Sequence, residues 1–570
     1  MSGTRLFTRP IYWLLVLALV VSLAVVAVPM GSRVNADPSE VWVDDDNCPG
    51  PGSGTEADPY CKIKDALTAV AQPGTVHVAT GTYTENNIDL KNNVQVLGAG
   101  AAVTIIDGGG SGPVVTASSG VGASTKLDGF TITNGTTSNG AGMSITDGAS
   151  PVISNCKFVG NSAAHYGGGM RNLNSSPTVT NCTFDGNSAT DAGGGMYNEK
   201  SSPNVTNCIF DGNSATYGGG MYNWDSSPTV TNCTFEGNNA PFLGGGMYNV
   251  VSSPNVTNCI FEGNSALNGC GMYNSNSSPN VTNCVFSGNS LSTLGGGMYN
   301  YYYSSPTVTN CIFEGNSAQY YGGGMYNDDY SSPNVTNCIL ANNTAGGSGG
   351  GICADGTSSP TIDYNDVWNN SPNDYEGCSP GPHDIQKDPM FVNPAAHDYH
   401  SQPGSPCIDA GTNDGAPGKD MDGNPRTIDG DGDGNAITDM GAYEYVPASV
   451  EFSATPTMGP TPLEVHFTDE SPGDFDSWSW DFGDGSTSSE QNPTHIYNGP
   501  GPFTVSLTIS SLSGRGTETK VDYIHPYAQG VGGEAYPVSR LAILAPWIAL
   551  AALLLGGTGW LVLRRRISQG

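Results

Sequence analysis

Pro203-Asn-Val-Thr-Asn-Cys-Ile-Phe-Asp-Gly-Asn-Ser-Ala-Thr-Tyr-Gly-Gly-Gly-Met221-Tyr-Asn223 is one copy of a unit that recurs along residues 151 to 352. Successive copies lie 25 to 27 residues apart, and each contains one cysteine of the series Cys156, Cys182, Cys208, Cys233, Cys259, Cys284, Cys311 and Cys338. A period of this size is typical of solenoids, in which each unit buries its apolar face only against its neighbours. The repeat therefore predicts an elongated stack of β-coils.

Differences between the copies indicate which side chains face outward. The position after the cysteine is Lys157, Thr183 or Ile209 in different copies, so we expect it outside, with the cysteine and the next phenylalanine inside. The valine three residues before the cysteine also faces inward, which requires a bend at the intervening asparagine. Asparagine tolerates the left-handed conformation that such a bend needs. Stacked asparagines at this corner are expected to pass amide hydrogen bonds from coil to coil.

The stacked cysteines are predicted to be buried thiols. They occur once per coil, without a Cys-x-x-Cys pair or a recurring histidine, which argues against a metal site. Parallel Cβ vectors ~4.8 Å apart are also unsuited to an unstrained disulfide. Near the end of the solenoid, Cys378 and Cys407 are a candidate disulfide, with Cys353 as a competitor.

The composition limits the classes of partner. The 570 residues include 52 Asp and Glu against 19 Lys and Arg, a formal net charge of −33 that repels nucleic acid and anionic lipid. Only 12% of the residues are charged, so most of the exposed surface must consist of neutral hydrogen-bonding side chains. We therefore expect an extracellular polysaccharide or a surface glycoprotein as the partner, and no nucleic acid.

Both ends of the chain predict export and anchoring. Residues 1–36 are predicted to be a signal peptide, since basic residues precede an apolar run and Val34-Asn-Ala36 resembles a cleavage site; an uncleaved anchor is the alternative. After a linker at 527–540, residues 541–563 carry no charge and are long enough to cross a membrane. The basic tail 564–570 is then expected to stay in the cytoplasm. These features predict a single-pass cell-membrane protein with an extracellular N-terminal body; for 541–563 a buried soluble helix is the alternative.

Residues 40–150 follow the repeat pattern less regularly and complete a predicted β-helix over residues 40–383. A short helix over 62–70 is expected to cover the open backbone edge of the first coil. Outside the cell, Cys48 and Cys61 are expected to form a disulfide. Three stretches resemble the N-terminal part of right-handed parallel β-helix proteins of the pectate-lyase-like superfamily: Asp58-Pro-Tyr-Cys-Lys-Ile-Lys-Asp-Ala66, Gly81-Thr-Tyr-Thr-Glu85 and Leu127-Asp-Gly-Phe-Thr-Ile-Thr-Asn-Gly135. The resemblance implies a right-handed solenoid.

The repeat is also similar to that of polymorphic outer-membrane proteins. Phe210-Asp-Gly-Asn213 corresponds to the Phe-x-x-Asn motif of those proteins, and Gly-Gly-Gly-Met corresponds to their Gly-Gly-Ala-Ile motif. The match is partial, and it implies adhesion or display rather than catalysis.

Tyrosine forms a second recurring column. The candidate ligand-binding residues of this column are Tyr197, Tyr222, Tyr248, Tyr273, Tyr299 and Tyr326. They follow an inward methionine and are expected to point outward, where exposed rings can stack on sugars or pack on one another; both interpretations stay open. The copies differ most after Met-Tyr-Asn and before the glycine run. Trp224 and Tyr302, in the first of these variable segments, are further candidate ligand-binding residues.

An enzymatic function is the first alternative to binding. Enzymes of the pectate-lyase-like superfamily cleave polysaccharides, and lyases need Ca²⁺-binding carboxylates with a basic residue, whereas hydrolases need paired carboxylates. Between residues 151 and 370 the only Lys or Arg side chains are Lys157, Arg171 and Lys200. No catalytic residue is therefore predicted. The expected function is non-catalytic adhesion or extracellular glycan binding; a polysaccharide lyase or glycoside hydrolase and a structural envelope protein are the alternatives.

Residues 384–446 form a predicted acidic module at the C-terminal end of the β-helix. Gly404-Ser-Pro-Cys-Ile-Asp-Ala-Gly411 and Asp439-Met-Gly-Ala-Tyr-Glu444 resemble a module of bacterial surface proteins that carry varied anchors. Candidate Ca²⁺ ligands in this module are Asp429, Asp431, Asp433 and Asp439. The spacing begins like a Ca²⁺ loop, but Met440 stands where an EF-hand has its glutamate. A solvated acidic turn is the alternative.

Residues 448–526 alternate in the pattern of an immunoglobulin-like sandwich of seven strands. Trp480-Asp-Phe-Gly-Asp-Gly485 and His495-Ile-Tyr497 resemble the signature of polycystic-kidney-disease (PKD) type domains. The resemblance implies a spacer or a weak binder of glycans and proteins. The predicted fold class is therefore all-β: a right-handed parallel β-helix, a PKD-type sandwich and a C-terminal transmembrane helix.

Overall fold

The computed structural model of the chain describes residues 39–290, 292–472, 475–510 and 515–528. The predicted signal peptide, membrane span and basic tail lie outside these residues, as does nearly all of the predicted linker. Within the described residues, no helix is long and apolar enough to cross a membrane.

Residues 40 to 376 form a solenoid in which each coil contributes one strand to each of three long parallel sheets. The valine sheet has thirteen strands: Glu40–Val43, Gly74–Val78, Val94–Gly98, Lys126–Asp128, Val152–Ser154, Thr178–Thr180, Asn204–Thr206, Thr229–Thr231, Asn255–Thr257, Asn280–Thr282, Thr307–Thr309, Asn334–Thr336 and Thr361–Asp363. The phenylalanine sheet has twelve strands: Gly81–Thr84, Thr104–Asp107, Thr131–Thr133, Lys157–Val159, Thr183–Asp185, Ile209–Asp211, Thr234–Glu236, Ile260–Glu262, Val285–Ser287, Ile312–Glu314, Ile339–Ala341 and Asp366–Trp368. The methionine sheet has twelve strands: Ile88–Asp89, Val115–Ala117, Met143–Thr146, Met170–Leu173, Met196–Glu199, Met221–Trp224, Met247–Val250, Met272–Ser275, Met298–Tyr301, Met325–Asn327, Ile352–Ala354 and Tyr375–Glu376.

Two smaller parallel sheets, here called the side sheets, are formed by the segments that connect the phenylalanine sheet to the methionine sheet. The first consists of Thr136–Asn139, Ser162–Tyr166 and Ser188–Ala189, and the second of Asn239–Leu243, Ser265–Asn268, Ser292–Leu294, Ser317–Tyr321 and Thr344–Ala345. Their outer side chains belong to the variable segment that precedes the glycine run.

Identical residues stack in register along the solenoid. Met196 pairs with Met221, and Phe184 pairs with Phe210. The phenylalanine rings from Phe158 to Phe313 lie face to face with centroids 4.6 to 4.8 Å apart. One apolar core therefore runs the length of the stack, as the repeat predicts.

The predicted asparagine corner is confirmed. The asparagine before each cysteine has a positive φ of 50 to 55°, and Asn181 Nδ2 donates to Asn155 Oδ1 of the neighbouring coil at 3.2 Å. Two further asparagine ladders are fully buried. Asn187 Nδ2, in Gly-Asn-Ser, donates to Phe158 O at 2.8 Å and to Asn213 Oδ1 at 3.0 Å. Asn198 Nδ2, in Met-Tyr-Asn, donates to Asn223 Oδ1 at 2.8 Å.

The repeat cysteines are buried and free, which confirms the prediction for them. The backbone N–H of Cys182 points at Sγ of Cys208 in the next coil, 3.4 Å away. The predicted disulfide between Cys48 and Cys61 is also present, with Cα atoms 5.0 Å apart. A cap of the solenoid surrounds it, in which the 3₁₀ turn Asp45–Asn47 and the helix Ile63–Ala69 lie at the first coil.

The predicted disulfide between Cys378 and Cys407 is wrong, because both are free thiols. Cys378 Sγ lies 4.0 Å from Ile352 O on the methionine sheet, whereas Cys407 Sγ lies 3.3 Å from Oδ2 of Asp366 on the phenylalanine sheet. The competitor Cys353 is likewise free. Cys407 is distant from Cys378 because the module that contains Cys407 packs on a different face of the solenoid.

This module, residues 384–446, packs on the outer face of the phenylalanine sheet. Its hairpin has the strands Phe391–Asn393 and Asp398–Ser401, joined by the 3₁₀ turn Pro394–Ala396. Three apolar side chains at the outward position after the cysteine are about 1% exposed here, because module residues cover them: Val285, Ile312 and Ile339. Arg426, itself buried, donates through Nη2 to Asn283 Oδ1 at 2.7 Å. The outward expectation therefore holds at Ile209, which is 44% exposed, but not beneath the module.

The C-terminal sandwich has two sheets. One contains Phe452–Thr455, Leu463–Asp469 and Thr494–Tyr497, and the other contains Met458–Pro460, Ser477–Asp481, Thr487–Ser488, Phe503–Ser510 and Arg515–Tyr527. Trp480 is fully buried, and its Nε1 donates to Glu490 O at 3.0 Å. Asp484 accepts the N–H of Ser486 and pairs with His495 at 2.8 Å, so it supports a turn.

Candidate functional site

The side chains of the tyrosine column point out of the apolar core, but they are buried or half-buried and do not form an exposed surface. Tyr197, Tyr273, Tyr299 and Tyr326 are 2 to 8% exposed, and Tyr222 and Tyr248 are half-buried. Neighbouring rings of the column lie 4.9 to 5.3 Å apart. Burial raises the pKa of Tyr222 to about 12. The expectation of an exposed column is thus corrected in favour of aromatic packing.

Side chains from both variable segments cover the tyrosine column. Tyr166 of the first side sheet stacks on Tyr197 at 4.7 Å. Tyr321 of the second side sheet lies 5.8 Å from Tyr326, and Tyr301 lies 6.5 Å from Tyr273 on the opposite flank. The segments before the glycine run also expose large apolar side chains along this side of the solenoid: Tyr217, Phe242, Leu267, Tyr320 and Tyr321, the last of which also borders Tyr326.

The other two aromatic candidates are exposed as expected. Trp224 is 45% exposed and Tyr302 is 47% exposed. Both lie where the chain leaves the methionine sheet for the valine sheet. At this corner most coils place a single left-handed residue before a buried serine, for example Lys200, Asp225 or Val251, each with φ near 50°.

Four coils contain one extra residue at this corner, counted from the inward Met or Ile to the next proline: those that begin at Met143, Met298, Met325 and Ile352. In the Met298 and Met325 coils the insertion yields two consecutive left-handed residues other than glycine, Tyr302 and Tyr303 in the first and Asp329 and Tyr330 in the second, with φ between 51 and 64°. A bulky residue rarely adopts this left-handed backbone conformation, which costs about 1 kcal/mol or more in conformational free energy. Strained positions of this kind concentrate at functional sites.

The Met298 and Met325 coils place four tyrosines together at this corner, here called the aromatic corner: Tyr301, Tyr302, Tyr303 and Tyr330. Tyr301 is half-buried, and the other three are exposed. Tyr303 and Tyr330 stack with centroids 5.2 Å apart and planes 9° apart, and Tyr302 meets Tyr303 edge-on at 5.0 Å. Tyr303 is 55% exposed and Tyr330 is 53% exposed. The rings therefore form two walls nearly at right angles, open to solvent.

Three carboxylates accompany these rings. Asp328 and Asp355 occupy the position of Tyr301 in the next two coils, and Asp329 lies between Asp328 and Tyr330. Asp328 Oδ2 accepts a hydrogen bond of 2.8 Å from the Tyr299 hydroxyl. Burial raises the pKa of Asp328, and the neighbouring carboxylate of Asp355 raises it further. The corner thus combines ring faces with strong hydrogen-bond acceptors, a pairing that suits sugar hydroxyls.

The predicted calcium ligands are only partly brought together. Asp429 and Asp431 have carboxylate oxygens within 4.8 Å of each other and of Asp409, which the sequence pattern does not single out. Asp439 is buried instead and accepts the N–H groups of Asp409 and Tyr445 at 2.7 and 2.6 Å. Asp433 Oδ1 accepts the N–H of Asn435. The trio Asp409, Asp429 and Asp431 has the oxygen donors that Ca²⁺ prefers, and calcium stays a prediction.

Three family models match the chain. The model described as right-handed beta helix region matches residues 79–257 and 195–317, and the model of the PKD domain matches residues 448–525. The chain combines a right-handed β-helix with a PKD domain. A third model, described as disaggregatase related, matches residues 308–414, which include the aromatic-corner residue Tyr330 and the start of the module.

Relatives with known roles match short parts of the chain. Collagenase ColA of Bacillus cereus is 52% identical over 44 residues, which are 8% of this chain and 4% of that protein. A microbial collagenase of Vibrio alginolyticus is 33% identical over 89 residues, 16% of this chain and 10% of that protein. The chain therefore spans at most a tenth of these curated relatives.

Solved structures that are similar to parts of the molecule include a PKD domain and a polysaccharide lyase. The PKD1 domain of the Vibrio cholerae metalloprotease PrtV is 28% identical, with a TM-score of 0.12, and covers 13% of this chain and 93% of that domain. Pectate lyase Pel9A is 12% identical, with a TM-score of 0.37, over 71% of this chain and 97% of the lyase. The likeness to the lyase concerns the fold alone.

Proposed function

We propose that this protein is a non-catalytic glycan-binding protein of the cell surface that acts in adhesion, and that it binds polysaccharide at the aromatic corner. The observation that carries the proposal is the exposure of Tyr302, Tyr303 and Tyr330 at 47 to 55% in strained backbone conformations. The partner is an extracellular polysaccharide or a surface glycoprotein. The predicted signal peptide and membrane span would place the solenoid outside the cell, with the PKD domain between the solenoid and the membrane.

The geometry of the corner supports binding rather than packing. A ring that serves only to stabilise the solenoid is best buried, as the tyrosine column is. Tyr302, Tyr303 and Tyr330 instead contact one another and are about half exposed, whereas Tyr301 is partly buried against the tyrosine column. The same corner accepts Asn174, Asn276 or Lys200 in other coils, so the fold does not require tyrosine there.

A polysaccharide lyase or glycoside hydrolase is the alternative function. Residues 201 to 386 contain no Lys and no Arg, so the coils around the aromatic corner offer no basic residue of these types for a lyase mechanism. The acidic groups with strongly raised pKa values, such as Asp366 at about 7, lie in the interior between solenoid and module. Buried at this interface, these groups contribute to packing of the module and are not accessible to a polysaccharide chain.

The full chain, purified in detergent micelles, tests the proposal on a glycan array and in a polysaccharide-degradation assay with and without Ca²⁺. We expect saturable binding without products. Product formation that survives Tyr302→Asn, Tyr303→Asn and Tyr330→Asn together but is lost with a single Asp or Lys change would contradict the binding function. Absence of any binding would favour a structural envelope protein.

A further inference from the structure

The surroundings of the aromatic corner are negative over a long stretch of the solenoid. Residues 201 to 386 carry no Lys and no Arg, and their only histidine, His383, pairs with Asp363 at 3.0 Å. Asp328, Asp329 and Asp355 lie within two coils of the exposed rings. The formal net charge of −33 adds a repulsive field of longer range for anions.

Acidic residues at this corner are not a requirement of the fold. The left-handed position that Asp329 occupies, with φ of 52°, holds asparagine, lysine, valine or tyrosine in other coils. Asp355 likewise follows a strand at a position where Tyr301 stands two coils earlier. Asp355 also accepts the N–H and the hydroxyl of Thr357 at 3.1 and 2.6 Å, and these hydrogen bonds leave its negative charge in place. The fold accepts other residue types at both positions, so the charges themselves are not a requirement of the solenoid.

We infer that the aromatic corner selects uncharged polysaccharides over anionic ones, and that Asp329 and Asp355 are its specificity-determining residues. This inference rests on the proposed glycan-binding function. Sugar hydroxyls can donate to the carboxylates while the apolar face of the sugar stacks on the tyrosine rings. A uronate or sulfate group ~4 Å from one carboxylate would be repelled by it, and this repulsion would lower the affinity of the anionic polysaccharide about fivefold even in water. Rejection of a competitor by a repulsive element is a common source of specificity.

Matched polysaccharide pairs that differ in charge test the inference with the full chain in a non-ionic detergent. The probes are dextran and dextran sulfate, hydroxyethyl and carboxymethyl cellulose, and methyl-esterified and de-esterified polygalacturonan. We expect the uncharged member of any bound pair to bind at least about fivefold more tightly at low salt. High salt should narrow this difference, because it screens the repulsion. Equal or tighter binding of the anionic member at low salt would overturn the inference.

Two substitutions isolate the contribution of the carboxylates. Asp329→Asn keeps the left-handed backbone favourable, and Asp355→Asn changes charge with little change in shape. In the double variant we expect affinity for the anionic member to rise and affinity for the uncharged member to fall, since a neutral amide oxygen is a weaker acceptor for sugar hydroxyls than a carboxylate. The ratio of the two affinities should therefore drop at least about fivefold. An unchanged ratio in a variant that melts like the wild type would overturn the role of these residues. If no glycan of the array or of the pairs binds the wild type, the proposed function fails, and the inference fails with it.

Discussion

Tyr303 and Tyr330 stack at 5.2 Å from successive coils, although each has a positive φ that tyrosine rarely adopts. The backbone corner is common to all coils, but only the one-residue insertion gives it two left-handed positions. Ring stacking offers about 0.5–1.5 kcal/mol, which is close to the conformational cost of one such tyrosine. The pair therefore adds little to stability, which agrees with the proposed role of these rings in glycan binding.

Replacement of both stacked tyrosines by asparagine should separate stability from binding. In the variant Tyr303→Asn/Tyr330→Asn we expect a denaturation midpoint near that of the wild type, since asparagine relieves the backbone strain while the stacking is lost. Glycan affinity should fall by at least about tenfold, which corresponds to ~1.4 kcal/mol. Tyr303→Phe/Tyr330→Phe is the matched control and should keep most of the affinity. Intact binding in the asparagine variant would exclude these rings as the site.

The buried asparagine ladder should be essential to the solenoid. Asn238 Nδ2 donates to Phe210 O at 2.8 Å and to Asn264 Oδ1 at 3.0 Å, and Asn238 Oδ1 accepts from Asn213. Asn238→Ala leaves buried donors and acceptors unpaired, each at a cost of about 1–3 kcal/mol. We expect a clear fall of the midpoint in chemical denaturation. Exposed Asn204 is the control, since Asn204→Thr copies the threonine of neighbouring coils and should change stability by less than about 0.5 kcal/mol.

Asp366 should make the stability of the module interface depend on pH. Burial raises its pKa from 3.8 to about 7, so the folded state binds a proton that the unfolded state releases near pH 4. This contribution is complete below pH ~4 and is lost as pH rises to ~7, by an amount on the order of a few kcal/mol. Thermal melts between pH 4 and 8 should therefore show a decline that is shallower in Asp366→Asn. The exposed Asp185→Asn should retain the wild-type slope, and equal slopes in all three proteins would contradict the assignment.

Calcium should raise the melting temperature of the chain if Asp409, Asp429 and Asp431 hold the ion. Binding to the folded state alone adds ~2.7 kcal/mol at a hundredfold excess over the dissociation constant. We expect the shift with Ca²⁺ to exceed that with Mg²⁺, which dehydrates less readily, and to vanish in Asp431→Asn. Asp44, Asp45 and Asp46 of the N-terminal cap are a second trio whose carboxylate oxygens lie within 4.8 Å of one another, so Asp44→Asn tests this competing site and should leave the shift unchanged. A shift that persists in Asp431→Asn would place the ion elsewhere.

The repeat predicts the scaffold well because each rule acts within one coil. Valine, cysteine, phenylalanine and methionine face inward, and the asparagine before each cysteine is left-handed, since these properties depend on local sterics and on the neighbouring identical coil. The same local reasoning predicts the disulfide of Cys48 and Cys61, which are close in sequence.

Long-range contacts explain what the repeat does not predict. Ile312 and Ile339 are buried by module residues that lie about a hundred residues further along the chain. No pattern within a single coil predicts this contact. Tyr273 and Tyr299 alternate like outward residues, but side chains of the variable segments, among them Leu294 and Tyr301, pack over the column. The aromatic corner depends on an insertion of one residue, whose signal is the change in period at Tyr301-Tyr302-Tyr303. That change in period is visible in the sequence, although its left-handed geometry is not.

Hydroxyl-radical footprinting of the full chain, with and without a saturating uncharged polysaccharide from the array, tests the central claim most directly. The measured quantity is the oxidation rate of each exposed aromatic side chain. We predict that the polysaccharide protects Tyr302, Tyr303 and Tyr330 and leaves Phe242 and Tyr320 on the side sheet unchanged. Saturable binding with protection confined to the side sheet, or with no protection at the aromatic corner, would contradict the account.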